Sequence, residues 1–255
     1  MVHTMKKYNI FTVANEGYAS FLKMFVGSIF DKVDLDNINK IVIADTGLSD
    51  STLEFLSVFP KLIIQKTNIE TKYSKIHDHD WKKNVYSKSK LLLDCISHED
   101  DFVPTIMIDS DCVIIEDFVE LIDSIQSDII PCLRNQAGRT PGHQATSTHI
   151  GSFFVAKTEK SIEFIKDWIS EIPKITTIGP DGKRIPQESP ALSNICNKYK
   201  DKIDIYDLDE RIIANIEHDP PDFAKIYHLK SDWMFLTVDR RISQPRVSYY
   251  KRRYL

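Results

Sequence analysis

Through the first half of the chain, short apolar runs rich in β-formers alternate with longer stretches whose apolar residues recur every three or four positions. This is the pattern of a parallel sheet covered by helices on both faces. Tyr8–Ala14 predicts the first strand, and Phe21, Phe25 and Ile29 at four-residue intervals predict a helix over Tyr18–Phe30. Lys40–Ala44 reads as a second buried strand ending at Asp45. A helix follows over Asp50–Phe59, with Leu53, Leu56 and Phe59 on one side and Ser49 or Asp50 as N-cap. Lys61–Gln65 predicts the third strand. The polar stretch Thr67–Asn84 has little periodicity, and a helix resumes over Ser87–Ile96 through Leu91, Leu92 and Cys95. Phe102–Ile108 is a fourth apolar run and stops at Asp109.

Beyond that point the pattern changes. Asn135–His149 is polar, contains glycine and has no period, which reads as a long loop of the kind that often carries function. Gly151–Ala156 predicts another strand, Glu159–Ile172 a helix, and Ile178–Gln187 a second loop. No repeat and no linker interrupts the chain. The expectation is a single α/β domain over residues 1–239 with a Rossmann-like, mostly parallel central sheet flanked by helices, followed by a tail over 240–255.

Composition narrows the function classes. A chain of 255 residues with 42% hydrophobic content can bury one large core. With 33 basic against 37 acidic residues the net charge is −4, so no global positive field gathers nucleic-acid phosphates. Cys95, Cys112, Cys132 and Cys196 stand singly, which suggests neither a zinc site nor a disulfide framework and fits a reducing compartment. The apolar stretch after Met1–Tyr8 is too short for a secretion signal. No segment reaches the roughly 18 uncharged apolar residues of a membrane-spanning helix. The expected location is the cytoplasm.

The candidate chemistry centres on Asp109-Ser110-Asp111. An apolar run ending in these residues puts two carboxylates at the carboxyl edge of a central strand, where ligands bind in open α/β sheets. Other D-x-D pairs occur at Asp34/Asp36, Asp78/Asp80 and Asp207/Asp209, but only those at 109 and 207 follow an apolar run. The pair at 109 lies between Thr105–Ile108 and Cys112–Ile115, which should hold its backbone from both sides. Two such carboxylates repel each other unless a hard cation such as Mn²⁺ or Mg²⁺ joins them, and that ion can bridge phosphate oxygens.

In order and spacing these pieces resemble a glycosyltransferase of the type-A fold, nearest in layout to family 8. The resemblance implies that Phe11–Glu16 forms the nucleotide turn, with Thr12, Ala14, Asn15, Tyr18 and the strand-end Asp45 at the nucleotide and Ser110 beside it. In Tyr86-Ser-Lys-Ser-Lys90, a basic residue would reach toward the donor diphosphate. Lys90 is the candidate, although whether Lys88 or Lys90 points inward is open. His149–Phe154 resembles the strand at the donor sugar, with Gly151 and Ser152 in contact. Gln187–Leu192 resembles the acidic segment before a helix, with Glu188 as general base and Ser189 where many members carry glutamine. Lys225–Lys230 supplies His228 as a third metal ligand beside Asp109 and Asp111, and Lys230 for the leaving phosphate.

The function so implied is metal-dependent transfer of a sugar from a nucleotide-diphosphate donor, a UDP-sugar by analogy, to a glycan or lipid-linked saccharide. The tail interleaves Arg240, Arg241, Arg246, Lys251, Arg252 and Arg253 with Tyr249, Tyr250 and Tyr254, which suits peripheral contact with an anionic membrane. Two other readings compete. Asp109-Ser-Asp-Cys-Val113 also fits the D-x-D-x-V pattern of haloacid dehalogenase phosphatases with Asp109 as nucleophile, although three strands precede it and no later G-D-x-x-x-D follows. The other is a non-catalytic sugar-nucleotide binding module. An oxidoreductase is disfavoured, because no G-x-G-x-x-G follows any strand.

Overall fold

A computed structural model describes residues 6–71, 79–97, 101–134, 148–178, 182, 184–215, 222–229, 249 and 252–254. Among them the elements run β1 (Tyr8–Ala14), α1 (Ala19–Lys32), β2 (Ile38–Asp45), α2 (Asp50–Leu56), β3 (Leu62–Lys66), α3 (His79–Ser97), β4 (Thr105–Ile108) and β5 (Cys112–Ile114). There follow α4 (Val119–Ser124), β6 (Ile129–Leu133), β7 (His149–Ala156), α5 (Lys160–Glu171), β8 (Thr176–Ile178), β9 (Arg184–Pro186) and α6 (Glu188–Tyr199). The last are β10 (Leu208–Asp209), β11 (Ile213–Asn215) and β12 (Ile226–His228).

The main sheet has seven strands in the order β10-β6-β7-β4-β1-β2-β3. Its pairings are parallel except those of β7, which runs antiparallel to both β4 and β6. One reversed strand in an otherwise parallel sheet agrees with the expected mostly parallel architecture. Alternation along β1 sends Tyr8, Ile10 and Ala14 into the core beneath α1, and Phe11 into the core beneath α3, α5 and α6. Burial of each large apolar side chain contributes about 1.5–3 kcal/mol, so these two layers hold the sheet edge in place.

The chain leaves the main sheet at Asp109. After the turn, β5 pairs antiparallel with β12 in a second sheet of order β11-β12-β5. Helix α1 bridges the two sheets, because the Ser28 hydroxyl accepts the Ile114 N–H at 2.9 Å and donates to the Phe25 carbonyl at 2.7 Å. This explains why Phe21, Leu22, Met24, Phe25, Val26 and Ile29 are buried on nearly every side of that helix.

Several expectations change. α3 begins at His79, eight residues before the predicted Ser87, because its first turns are polar and carry no apolar period. The loop predicted over Ile178–Gln187 instead includes strand β9, which pairs antiparallel with β8. α2 ends at Leu56, and Phe59 packs from the following turn against Phe30, centroids 4.8 Å apart. Most of the loop predicted over Asn135–His149 lies outside the described residues, and His149 already opens β7. Described residues of the predicted tail lie on the domain itself, with Arg253 Nη1 2.8 Å from Asp31 Oδ2. No helix among the described residues is long and apolar enough to cross a membrane.

Candidate active site

The carboxyl ends of β1, β2 and β4 and the start of β7 meet along one edge of the main sheet, and α6 begins beside them. Asp109 leaves β4 with its N–H donated to the Ser152 carbonyl at 3.0 Å, and its own carbonyl accepts the Cys112 N–H at 3.1 Å. The D-x-D backbone is thus tied to β7 on one side and to β5 on the other, as the flanking apolar runs suggested. Ser110 and Asp111 are both buried.

Lys88 occupies the centre. Its Nζ donates to Asp109 Oδ1 at 2.7 Å and to the Gly151 carbonyl at 2.7 Å, and lies 3.3 Å from Glu188 Oε2. Burial opposes the ammonium charge, but the facing carboxylates of Asp109 and Glu188 outweigh it and hold Lys88 above its ordinary value. Lys90, the residue expected to reach the donor, has its Nζ 4.1 Å from the centroid of the Tyr86 ring. Two helical positions correspond to about 200° of rotation, so Lys88 and Lys90 cannot share a face.

Glu188 is the first residue of α6 and is 7% exposed. Burial pushes its carboxyl up to about 7, with Lys88 pulling it down and Asp109 pushing it up. Its Oε1 has no hydrogen-bond partner. The helix start is positioned by Trp168 of α5, whose Nε1 donates to the Glu188 carbonyl at 3.2 Å, and by Ser189, whose hydroxyl accepts the Gly151 N–H at 3.2 Å. Gly151 permits this arrangement sterically, since a Cβ there would lie inside the Glu188 carboxylate. Ser152 is also buried, and its hydroxyl has no partner.

His228 approaches the D-x-D from β12. Its Nε2 lies 3.3 Å from Asp111 Oδ1 and 4.0 Å from Asp109 Oδ2, and the Leu229 N–H donates to the Asp111 carbonyl at 2.8 Å. Asp111, Cys112 and His228 each present a ligand atom within 4.8 Å of the others. Cys112 is fully buried in the main core, and burial together with Asp111 and Asp109 drives its thiol well above the ordinary value. The carboxylates of Asp109 and Asp111 with the imidazole of His228 form a donor set that fits a hard or borderline divalent cation. Lys230 lies outside the described residues.

The expected nucleotide residues gather at the ends of β1 and β2, where their polar atoms largely serve the fold. Asn15 donates through Nδ2 to Thr71 Oγ1 at 2.9 Å and accepts the Gly17 N–H at 3.0 Å. Asp45 Oδ1 accepts the N–H groups of Gly47 and Leu48 at 2.8 and 2.7 Å. Glu16, not singled out from the sequence, accepts from Ser49 N and Thr52 Oγ1 and so holds the start of α2. Ala14 is buried, Tyr18 packs near Phe21, and the Thr12 hydroxyl is buried without a partner. The competing pair at 207 is taken up elsewhere: Asp207 pairs with His149 and Asp209 with Arg211.

A family model described as nucleotide-diphospho-sugar transferase matches residues 41–242, well over half of the chain and including Lys88, Asp109, Asp111, Gly151, Glu188 and His228. The chain belongs to that family. A nucleotide-diphospho-sugar transferase is a glycosyltransferase, and membership sets aside the dehalogenase-type phosphatase with Asp109 as nucleophile. Among solved structures, this transferase is similar to the bifunctional glycosyltransferase WbbM in its apo form, with TM-score 0.57 and 12% identity. That match covers 99% of this chain but 52% of WbbM, so the chain spans about half of that protein's length. It is also similar to the galactosyltransferase LgtC in complex with donor and acceptor sugar analogs, with TM-score 0.56, 12% identity and 86% of each chain covered. An active-site mutant of LgtC matches with TM-score 0.55 and 13% identity over 86% of each chain. These likenesses establish a shared type-A glycosyltransferase fold. No curated protein sequence matches the chain.

Proposed function

We propose that this transferase moves a hexose from a nucleoside-diphosphate donor, a UDP-sugar by likeness of layout to family 8, to a hydroxyl of a glycan or lipid-linked saccharide, and that it requires Mn²⁺ or Mg²⁺. One observation carries the reading. Asp109, Asp111 and His228 converge at the sheet edge, and Lys88 ties Asp109 to a buried glutamate with an unpartnered oxygen.

Asp109, Asp111 and His228 would hold the cation, which supplies positive charge for the phosphate oxygens of the departing nucleoside diphosphate. Lys88 fixes Asp109 through Oδ1 and braces Glu188, so the two carboxylates keep their separation while the donor enters. Glu188, with its carboxyl near 7, takes the acceptor proton as the acceptor oxygen bonds to the sugar C1. The C1–O bond to phosphate breaks, and its electron pair leaves with the diphosphate. Gly151, Ser152 and Ser110 border the sugar and phosphates. Thr12, Ala14, Asn15, Tyr18 and Asp45 shape the wall for ribose and base, largely through backbone groups that their side chains hold in place.

The test is thermal unfolding of wild type and Asp111→Asn with a panel of nucleoside diphosphates, with and without Mn²⁺. A ligand at about 100 times its Kd adds about 2.7 kcal/mol. One nucleotide should stabilise wild type only when Mn²⁺ is present, and Asp111→Asn should abolish the effect. If no nucleotide stabilises the wild type, the donor-site assignment is wrong.

A further inference from the structure

A small hydrophobic cluster lies behind the strands that present Asp111 and His228. It consists of Phe21, Met24, Val113, Ile115, Ala224, Tyr227 and Leu229, with Tyr254 packed against it from near the C-terminus. In the β5–β12 ladder, Tyr227 pairs with Val113 and His228 with Cys112. Alternation therefore sends Val113, Tyr227 and Leu229 to the face opposite His228. Tyr254 packs against the cluster to which these strand residues belong, on the side away from the imidazole.

The seat for Tyr254 is built for a ring. A Cβ at Gly27 of α1 would fall inside that ring, so only glycine leaves the space. Tyr254 Oη lies 3.3 Å from both the Gly27 carbonyl and Asp31 Oδ1. Arg253 completes the contact, with Nη1 on Asp31 Oδ2 at 2.8 Å and its guanidinium 5.3 Å from the centre of the Tyr254 ring. The strands beneath need such support, because β5 and β12 are three residues each and ladders this short are not stable alone.

We infer that Arg253 and Tyr254 form a clasp that fixes β12 against β5, making Tyr254 a positioning residue for His228 and so for cation binding. The inference rests on the reading of Asp109, Asp111 and His228 as the cation site. It assigns a role in that site to residues that touch neither substrate nor metal. A ligand held by a loose strand binds more weakly than one held in place, and loss of supporting partners lowers metal affinity about 10–100-fold.

The experiment is a Mn²⁺ titration of the full chain, followed by the paramagnetic signal of the free ion, on wild type, His228→Ala, Tyr254→Ala and Tyr254→Phe, with metal-free thermal unfolding of each. Tyr254→Ala should weaken Mn²⁺ binding roughly tenfold, and Tyr254→Phe, which keeps the ring, should bind close to wild type. If Tyr254→Ala fails to fold, Arg253→Gln, which loosens the clasp from its exposed side, should give a smaller loss in the same direction. If His228→Ala weakens binding but the clasp variants bind like wild type and only unfold earlier, the clasp is structural and the inference is overturned, while the cation site stands. If wild type itself takes up no Mn²⁺, the cation reading fails and the clasp falls with it.

Discussion

Two polar clusters sit along the carboxyl edge of the same sheet and use their hydrogen-bonding capacity in opposite ways. At the ends of β1 and β2, Asn15, Asp45, Glu16, Thr46 and Thr71 bond to one another and to nearby backbone, while the nearby Thr12 hydroxyl lacks a partner. At the end of β4, Glu188 is buried and Lys88 half-buried, both with displaced proton affinities, Glu188 Oε1 and Ser152 Oγ lack partners, and three ligand-type side chains converge. A buried polar atom without a partner is costly unless something arrives to satisfy it. On the proposed reading the first cluster shapes a wall, and the second is where the chemistry is placed. Substitutions should separate the two, affecting turnover in one and stability or donor binding in the other.

The largest separation should come from Glu188→Gln. Removing a general base lowers kcat by about 10³-fold. The raised affinity for a proton also sets the pH dependence. The folded-state value near 7 lies above the ordinary 4.5, so the folded protein favours the protonated acid. The stability this group lends at acid pH is lost as pH rises from about 4.5 to about 7, and above that the buried carboxylate carries its full desolvation cost. Wild-type kcat/KM should rise with pH up to about 7 and then level off. The metal-free glutamine variant should be more stable than wild type at pH 8, by on the order of 1 kcal/mol, and should lose that advantage at pH 5. A glutamine variant with full turnover would remove Glu188 from the mechanism.

Gly151→Ala should have a smaller effect of a different kind. The added methyl overlaps the Glu188 carboxylate and must push it away from Lys88. A displacement of about 1 Å in a reacting group can cost about 10²-fold in rate. The loss should appear chiefly in kcat, with a smaller rise in donor KM because Gly151 borders the sugar, and the rise of activity near pH 7 should shift as Glu188 loses its partner. Steady-state kinetics across pH would show both.

Part of the candidate site was legible because of where a pattern changes: Asp109 ends an apolar run. Glu188, which opens a helix, and His228, which closes a short strand, were legible only through the likeness of their segments to the family's acidic stretch and late histidine. The choice between Lys88 and Lys90 was not legible, because both sit in one polar stretch and only the facing Asp109 and Gly151 decide which turns inward. The start of α3 was hidden for a similar reason, since its first turns carry no apolar stripe. The reversed direction of β7 and the β8–β9 hairpin depend on pairings between distant segments, which local periodicity does not encode. The docking of Tyr254 depends on a missing side chain at Gly27, more than 200 positions away in the chain.

Asn15→Ala should have the smallest effect and is the sharpest check on the contrast between the two clusters. It removes the Nδ2 bond to Thr71 and the side-chain acceptor for the Gly17 N–H. Thr71 keeps Thr46 as a partner, 2.9 Å away, so one buried group is left only partly satisfied. Loss of a cap and a buried hydrogen bond costs about 1–2 kcal/mol, measurable as a lower urea midpoint with an unchanged m-value. The wall for the nucleotide then loosens while Lys88, Asp109 and Glu188 stay in place. Donor KM should rise and kcat should hold, the signature of lost binding common to ground and transition states. If kcat fell as far as in Gly151→Ala, the turn after β1 would belong to the reacting centre, and the division between wall and chemistry would be wrong.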